Sequence, residues 1–263
     1  MAIWTLSGLF RGNASTKWGV RDGDDGQKGV LGMPRFDSTQ CETGCTACAA
    51  ACPTSAITAS AGGAITDLDY GKCVTCQLCI EACPTGALTA SHDWAFGVRE
   101  REDLHWLAKP RPDDAEHKTP PGFHRSLHVR HVDAGSCNGC ESELQALNNP
   151  FYNLHRLGVF FTASPRFADV LLVTGPVTNA MRAPLLAAYE AMPEPRWVMA
   201  IGTCAVAGGT AGGGEFCANG LERILPVDFY LPGCPPNPAA LIEAFMVLLA
   251  RKRQRVAGGR YGA

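Results

Sequence analysis

The stretch "DAGSCNGCESE" (133–143) places a Cys-x-x-Cys pair, Cys137 and Cys140, in a glycine-rich turn. It follows directly on the apolar run "SLHVRHV" (126–132). Zinc sites, redox disulfides and iron–sulfur clusters all use such pairs. The pair decides little until its remaining ligands are found, and they depend on the fold around it.

Outward from the pair, short apolar runs alternate with helical patterns. "SLHVRHV", "GVFFTAS" (158–164), "DVLLVTG" (169–175) and "RWVMAIG" (196–202) are rich in Val, Leu, Phe and Ile, and three of the four stop at Gly or Ser. They predict buried strands. "ESELQALNN" (141–149), "NAMRAPLLAAYEAM" (179–192) and "PAALIEAFMVLLARKRQ" (238–254) predict helices, with Asn179 and Asn237 as N-caps. Arg251, Lys252 and Arg253 suit the negative C-terminal end of the last helix. The alternation implies an α/β domain over 123–263, a doubly wound parallel sheet with helices on both faces. Ligands of such sheets gather at the carboxyl ends of the strands. Cys137, Ser164, Gly175 and Gly202–Cys204 then share one rim.

The chain has 13 cysteines, and most are clustered. One run is Cys41-x3-Cys45-x2-Cys48-x3-Cys52-Pro53, and a second is Cys73-x2-Cys76-x2-Cys79-x3-Cys83-Pro84. "CAAACPTSAITAS" (48–60) and "CIEACPTGALTAS" (79–91) agree at nine of thirteen positions, so 37–107 holds two copies of one small unit. The second run has the bacterial ferredoxin spacing, in which the fourth cysteine serves the other cluster. Three close cysteines on a tight loop face three corners of a cubane, and the pseudo-symmetric half supplies the fourth. Cys41, Cys45, Cys48 and Cys83 are therefore expected to hold one [4Fe-4S] cluster, and Cys73, Cys76, Cys79 and Cys52 another. A pair of zinc knuckles is the alternative, disfavoured because neither run contains His. The first run departs from the usual spacing by one residue, Gly44, which the loop must absorb.

Cys137, Cys140, Cys204, Cys217 and Cys234 remain. Cys204 in "IGTCAVAGG" and Cys234 in "LPGCPPNP" lie in Gly/Pro-rich turns. Glycine lets backbone approach a large inorganic ligand and donate N–H to its sulfur. Cys137, Cys140, Cys204 and Cys234 are expected to converge as a third four-cysteine site. Cys217 in "GGGEFCANG" is expected to be a loop thiol without metal, with exchange for Cys204 the alternative.

The paired runs resemble two-cluster ferredoxins. With "WAFGVREREDL" (94–104), residues 1–107 are similar to the ferredoxin-like subunits of complex I-type hydrogenases such as formate hydrogenlyase. "GSCNGCE", "SPRFADVLLVTGPVTNAMRAP", "GTCAVAGG" and "LPGCPPNP", spread over 128–250, resemble the small subunit of membrane-bound, complex I-related [NiFe] hydrogenases. The resemblance implies a flavodoxin-like domain whose four cysteines bind the proximal [4Fe-4S] cluster, preceded by a small α+β two-cluster domain. It implies three [4Fe-4S] clusters and a [NiFe] large subunit as partner. It also implies further electron-transfer and membrane subunits, and a place on the inner face of the cell membrane through them. Relatives in quinone-reducing complex I carry two adjacent cysteines where this chain has a two-residue spacer, which favours the hydrogenase branch. A nickel-less relative and a zinc-bound scaffold are the other readings.

The rest of the sequence bounds this picture. A net charge of −2 gives no reason to expect nucleic acid. The start "MAIWTLSGLFRGNASTK" lacks a signal peptide's basic start and apolar run, so a cytoplasmic chain holding its cysteines as thiolates is expected. "AALIEAFMVLLA" (239–250), broken by Glu243, falls short of the roughly 20 apolar residues of a membrane span. Residues 1–36 read as an extended arm lying on a partner or as a loose terminus, and 108–122, with four prolines, as a linker. No nucleophile–base pair or phosphate loop is present, so no catalytic centre is expected. Glu141 and Glu143 either complement a helix dipole or, for Glu141, relay protons toward the partner's metal. His128 and His131 read as structural. Arg166 and Arg182 are either solvated or face a partner. The basic tail, Arg251 to Arg260, is expected to touch one.

Overall fold

The computed structural model describes residues 29–60, 62–107 and 126–262. The expected linker (108–122) and residues 1–28 of the expected arm lie outside them. The first part contains β1 (Arg35–Phe36), α1 (Ala47–Ala51), β2 (Ile57–Ala59), β3 (Ile65–Asp69), α2 (Leu78–Glu81), β4 (Leu88–Thr89) and β5 (His105–Leu107). β1 pairs antiparallel with β4, and β2, β3 and β5 form an antiparallel sheet. The sequence repeat is visible in space. α1 carries Cys48 and α2 carries Cys79, each the third cysteine of its run, and each helix stops just before the fourth. Gly44 is absorbed at φ +89°, its N–H donating to Gly62 O at 2.7 Å.

The second part contains β6 (Leu127–Asp133), α3 (Gly139–Ala146), β7 (Val159–Phe161), β8 (Val170–Thr174), α4 (Asn179–Glu190), β9 (Trp197–Ile201), α5 (Thr203–Ala207), β10 (Phe229–Leu231) and α6 (Pro238–Leu248). A hairpin of β11 (Val256–Ala257) and β12 (Arg260–Tyr261) follows. The five-stranded sheet is parallel throughout, in the order β10-β9-β8-β6-β7. This is the flavodoxin-like order, and the order in which strands are added reverses between β6 and β8, where such folds bind their ligands. Every strand except β7 serves two cores. Val170 and Leu172 face the one that contains α6, whereas Leu171 and Val173 face the other. That second core also takes in Leu68, Tyr70, Leu88, Phe96 and Trp106, so the two parts share one apolar interior.

The joint between the parts is made by backbone. Val98 and Tyr230 exchange N–H···O bonds of 2.9 and 2.8 Å, so the first part's segment between β4 and β5 covers the open edge of β10. Arg99 donates to Val247 O and Leu248 O at the end of α6. The C-terminal residues then fold back. Gln254 donates to Asp103 Oδ2 at 2.9 Å and accepts from Arg99 N–H. Gly259 N–H bonds Asp103 O, and Tyr261 stacks on Phe96.

Three local expectations are corrected. The last helix stops at Leu248 rather than 254, because Ala250 turns to φ +52° and the basic residues double back. Lys252 and Arg255 bond the carboxylate of Glu243, which is buried in a helix whose every residue is buried. An unpaired carboxylate there would be costly. Lys252 and Arg255 thus serve their own chain. Asn179 is not an N-cap: Thr178 holds that position, and the Asn179 amide donates to Glu215 O at 3.0 Å. Asn237 is one, accepting from Ala240 N–H at 2.8 Å.

Asp103→Ala removes the acceptor of Gln254 and Gly258 from a buried position. It should cost about 2 kcal/mol in chemical denaturation and render residues 250–262 sensitive to limited proteolysis.

Candidate metal centres

The rim at the switch point is built by turn chemistry. Asp133 Oδ1 at the end of β6 accepts the N–H groups of Gly135 (2.9 Å) and Ser136 (2.7 Å), turning the chain into Cys137. Asn138 takes a left-handed φ of +66° and opens α3, so Cys140 lies in its first turn. Gly202 ends β9 and caps α5, which carries Cys204. A Cβ on Gly202 would stand 2.6 Å from Cys140 Sγ, so only glycine lets these two segments meet. Gly139 brings Cys137 Sγ and Pro235 to the same spot. Pro235 follows Cys234 through a cis peptide bond.

The thiols report their neighbours electrostatically. Burial raises Cys140 most, and Glu141, Cys204, Cys234 and Cys137 add repulsion against its ionisation. Burial likewise pushes Cys204 up to about 11, with Cys234, Cys137 and Cys217 adding to it. Cys137, Cys140, Cys204 and Cys234 are therefore brought together. Cys217 lies near Cys204, but its thiol donates to Ala211 O at 2.7 Å.

The two runs behave in the same way. Burial raises Cys48, and Cys83, Cys41 and Cys45 add to it. Burial pushes Cys73 up to about 12, and the thiols acting on it are Cys79, Cys52 and Cys76. Cys52, Cys73, Cys76 and Cys79 also line a pocket of about 360 Å³, part of it open to solvent, with Pro34, Ile57 and Leu68. Backbone N–H groups already point at sulfur: Ala56 to Cys52 at 3.2 Å and Thr75 to Cys73 at 3.4 Å. At Cys83 burial opposes ionisation, yet N–H groups of Leu88, Thr85 and Ala87 outweigh it and lower the thiol. Hydrogen bonds of this kind stabilise cluster sulfur. Among the described residues no three His, Cys, Asp or Glu come close enough to hold one ion. A cubane's corners take cysteines standing farther apart. The three thiol quartets, two of them with N–H donors already aimed at sulfur, fit [4Fe-4S] clusters.

Other candidate residues separate. Glu141 Oε2 accepts from Ser136 Oγ at 2.6 Å and Oε1 from the Thr174 hydroxyl. His131 Nε2 lies 2.9 Å from that hydroxyl and 3.5 Å from Glu141. His128 pairs instead with Asp169 and stacks on Phe160. Arg166 and Arg182 are exposed. One residue escaped the sequence reading. Thr203, fully buried, donates from Oγ1 to Cys73 O at 2.9 Å and accepts from Gly233 N–H at 3.1 Å.

Comparison with known proteins gives two family matches. The family described as NADH ubiquinone oxidoreductase, 20 Kd subunit, matches residues 137–248, and the 4Fe-4S dicluster domain matches 40–87. Formate hydrogenlyase subunit 7 of Escherichia coli (strain K12) is 42% identical over 132 residues, 50% of this chain and 52% of that protein. The match thus takes in about half the length of that relative. Probable membrane-bound hydrogenase subunit mbhJ of Pyrococcus furiosus is 43% identical over 134 residues, 51% of this chain and 80% of that protein. Among solved structures, a chain of the membrane-bound sulfane sulfur reductase, an archaeal respiratory membrane complex, aligns at 31% identity over 53% of this chain and 78% of its own, with a TM-score of 0.43.

Gly202→Ala should destabilise the fold by about 2 kcal/mol in thermal melting, since φ +85° and ψ 152° form a region that only glycine occupies readily.

Proposed function

Since the chain belongs to the family of the NADH ubiquinone oxidoreductase 20 kDa subunit and bears a 4Fe-4S dicluster region ahead of it, we propose that it is the electron-relay subunit of a [NiFe] hydrogenase-like complex. It carries three [4Fe-4S] clusters, held by Cys41, Cys45, Cys48 and Cys83, by Cys73, Cys76, Cys79 and Cys52, and by Cys137, Cys140, Cys204 and Cys234. When bound, the clusters take up and give off single electrons at fixed positions. The chain passes these between a donor or acceptor subunit and the nickel–iron centre of a partner large subunit, for hydrogen evolution or oxidation. It has no catalytic centre of its own.

The observation that carries this reading is the grouping of the thiols. Cys48, Cys73 and Cys140 each feel the three other cysteines of their quartet. The spacer between Cys137 and Cys140 and the hydrogenase names of the relatives support the hydrogenase branch. No helix among the described residues is long and apolar enough to cross a membrane, so attachment to the inner face of the cell membrane falls to partner subunits. Glu141 accepts hydrogen bonds from Ser136 and Thr174 and lies beside His131, and it stands in the position of a relay toward the large subunit. The domain plan is an arm over 1–36, the two-cluster domain over 37–107, a linker over 108–122 and the one-cluster domain over 123–263.

Metal analysis of the purified complex should give about 12 iron atoms per chain and nickel in a co-purifying subunit. Cys140→Ala should remove one EPR signal of the reduced protein and leave two. A colourless protein would sink the reading, and full iron without nickel would move it to a quinone-reducing or nickel-less complex.

A further inference from the structure

Thr203 joins two of the thiol quartets. Its hydroxyl donates to the carbonyl of Cys73, a residue of the second quartet and 130 positions away in sequence. The same oxygen accepts the N–H of Gly233, the neighbour of Cys234, at 3.1 Å. Thr203 is itself the neighbour of Cys204, and its backbone N–H bonds Gly233 O at 2.9 Å. One buried side-chain oxygen thus belongs to the neighbour of Cys204, lies one hydrogen bond from the neighbour of Cys234, and lies one hydrogen bond from Cys73 itself. Thr203 is 1% exposed, so water does not compete for these bonds. An isosteric valine would satisfy the same packing, which leaves the hydroxyl without a purely steric reason.

We propose that the Thr203 hydroxyl is the hydrogen-bonded link through which electrons pass between the second and third clusters. The inference rests on the cluster assignment above and adds the route between two of them. Tunnelling through covalent and hydrogen bonds decays less steeply than through the gap between two packed surfaces. The path runs from Cys73 through its carbonyl and the Thr203 hydroxyl to the backbone of Cys204, with a branch over Gly233 to Cys234. In the step one cluster loses an electron and the other gains it, and no proton or bond is transferred. Thr203 touches neither cluster and acts as a positioning residue.

The test compares Thr203→Val and Thr203→Ser in the intact, iron-loaded complex. Iron content and the number of EPR signals check the cluster assignment by themselves. Loss of the third signal in the unaltered protein would overturn that assignment, whatever the variants do. With about 12 iron atoms retained, two quantities are read. The dipolar splitting between the reduced second and third clusters reports their spacing, and freeze-quench EPR after rapid electron injection reports their exchange rate. Thr203→Val should leave the splitting unchanged and slow the exchange several-fold, and Thr203→Ser should restore it. An unchanged rate in Thr203→Val overturns the proposal. So does a rate that falls only together with the splitting, because the hydroxyl would then be a spacer. If Thr203→Val loses iron, Thr203→Ala, which removes the same oxygen with less bulk, is read against Thr203→Ser by the same criteria.

Discussion

Two backbone hydrogen bonds between Val98 and Tyr230 determine where everything else sits. A parallel sheet built from crossovers leaves two open edges, each a row of unpaired N–H and C=O groups. Here the edge at β10 is taken by the segment between β4 and β5 of the cluster-bearing first part. Backbone pairing fixes register to the residue, which side-chain contact between two convex bodies does not. The apolar interior then closes across the joint: Phe96, Leu104 and Trp106 share one core with Leu171, Val173 and Ala205. The Thr203 contact to Cys73 crosses the same joint.

The same joint explains an otherwise wasteful helix. α6 is buried on all sides, including Glu243. A helix apolar all round must be covered all round, and the sheet covers only one side. The returning C-terminal residues bring Lys252 and Arg255 to Glu243 and Gln254 to Asp103. One short segment therefore neutralises the buried charge and fastens the first part to the second. Two of its basic residues, Lys252 and Arg255, thus have an internal purpose.

What the sequence reveals and what it hides follow from how local each constraint is. The cysteine runs are readable because a cubane needs three ligands on one tight loop, which imposes a spacing. β8 and β9 are readable because strands buried on both faces become continuous apolar runs, whereas β6 shows only Leu127, Val129 and Val132 as its buried apolar residues. β10 is three residues long, too short for any period, and α5 spans five residues between glycines. Asn179 has a capping residue's chemistry, but Glu215 O and Phe216 O claim its side chain and backbone. Thr203 is invisible for the opposite reason: nothing near it hints at a carbonyl 130 residues away.

Because the edge pairing at Tyr230 lies within a single chain, the two parts meet at an effective concentration set by the polypeptide rather than by the amount of protein present. Dilution does not pull them apart. In an assembly of separate proteins, a missing carrier leaves a gap that another copy must diffuse in to fill. Here every copy of the α/β part arrives with its own carrier in one-to-one proportion and already seated.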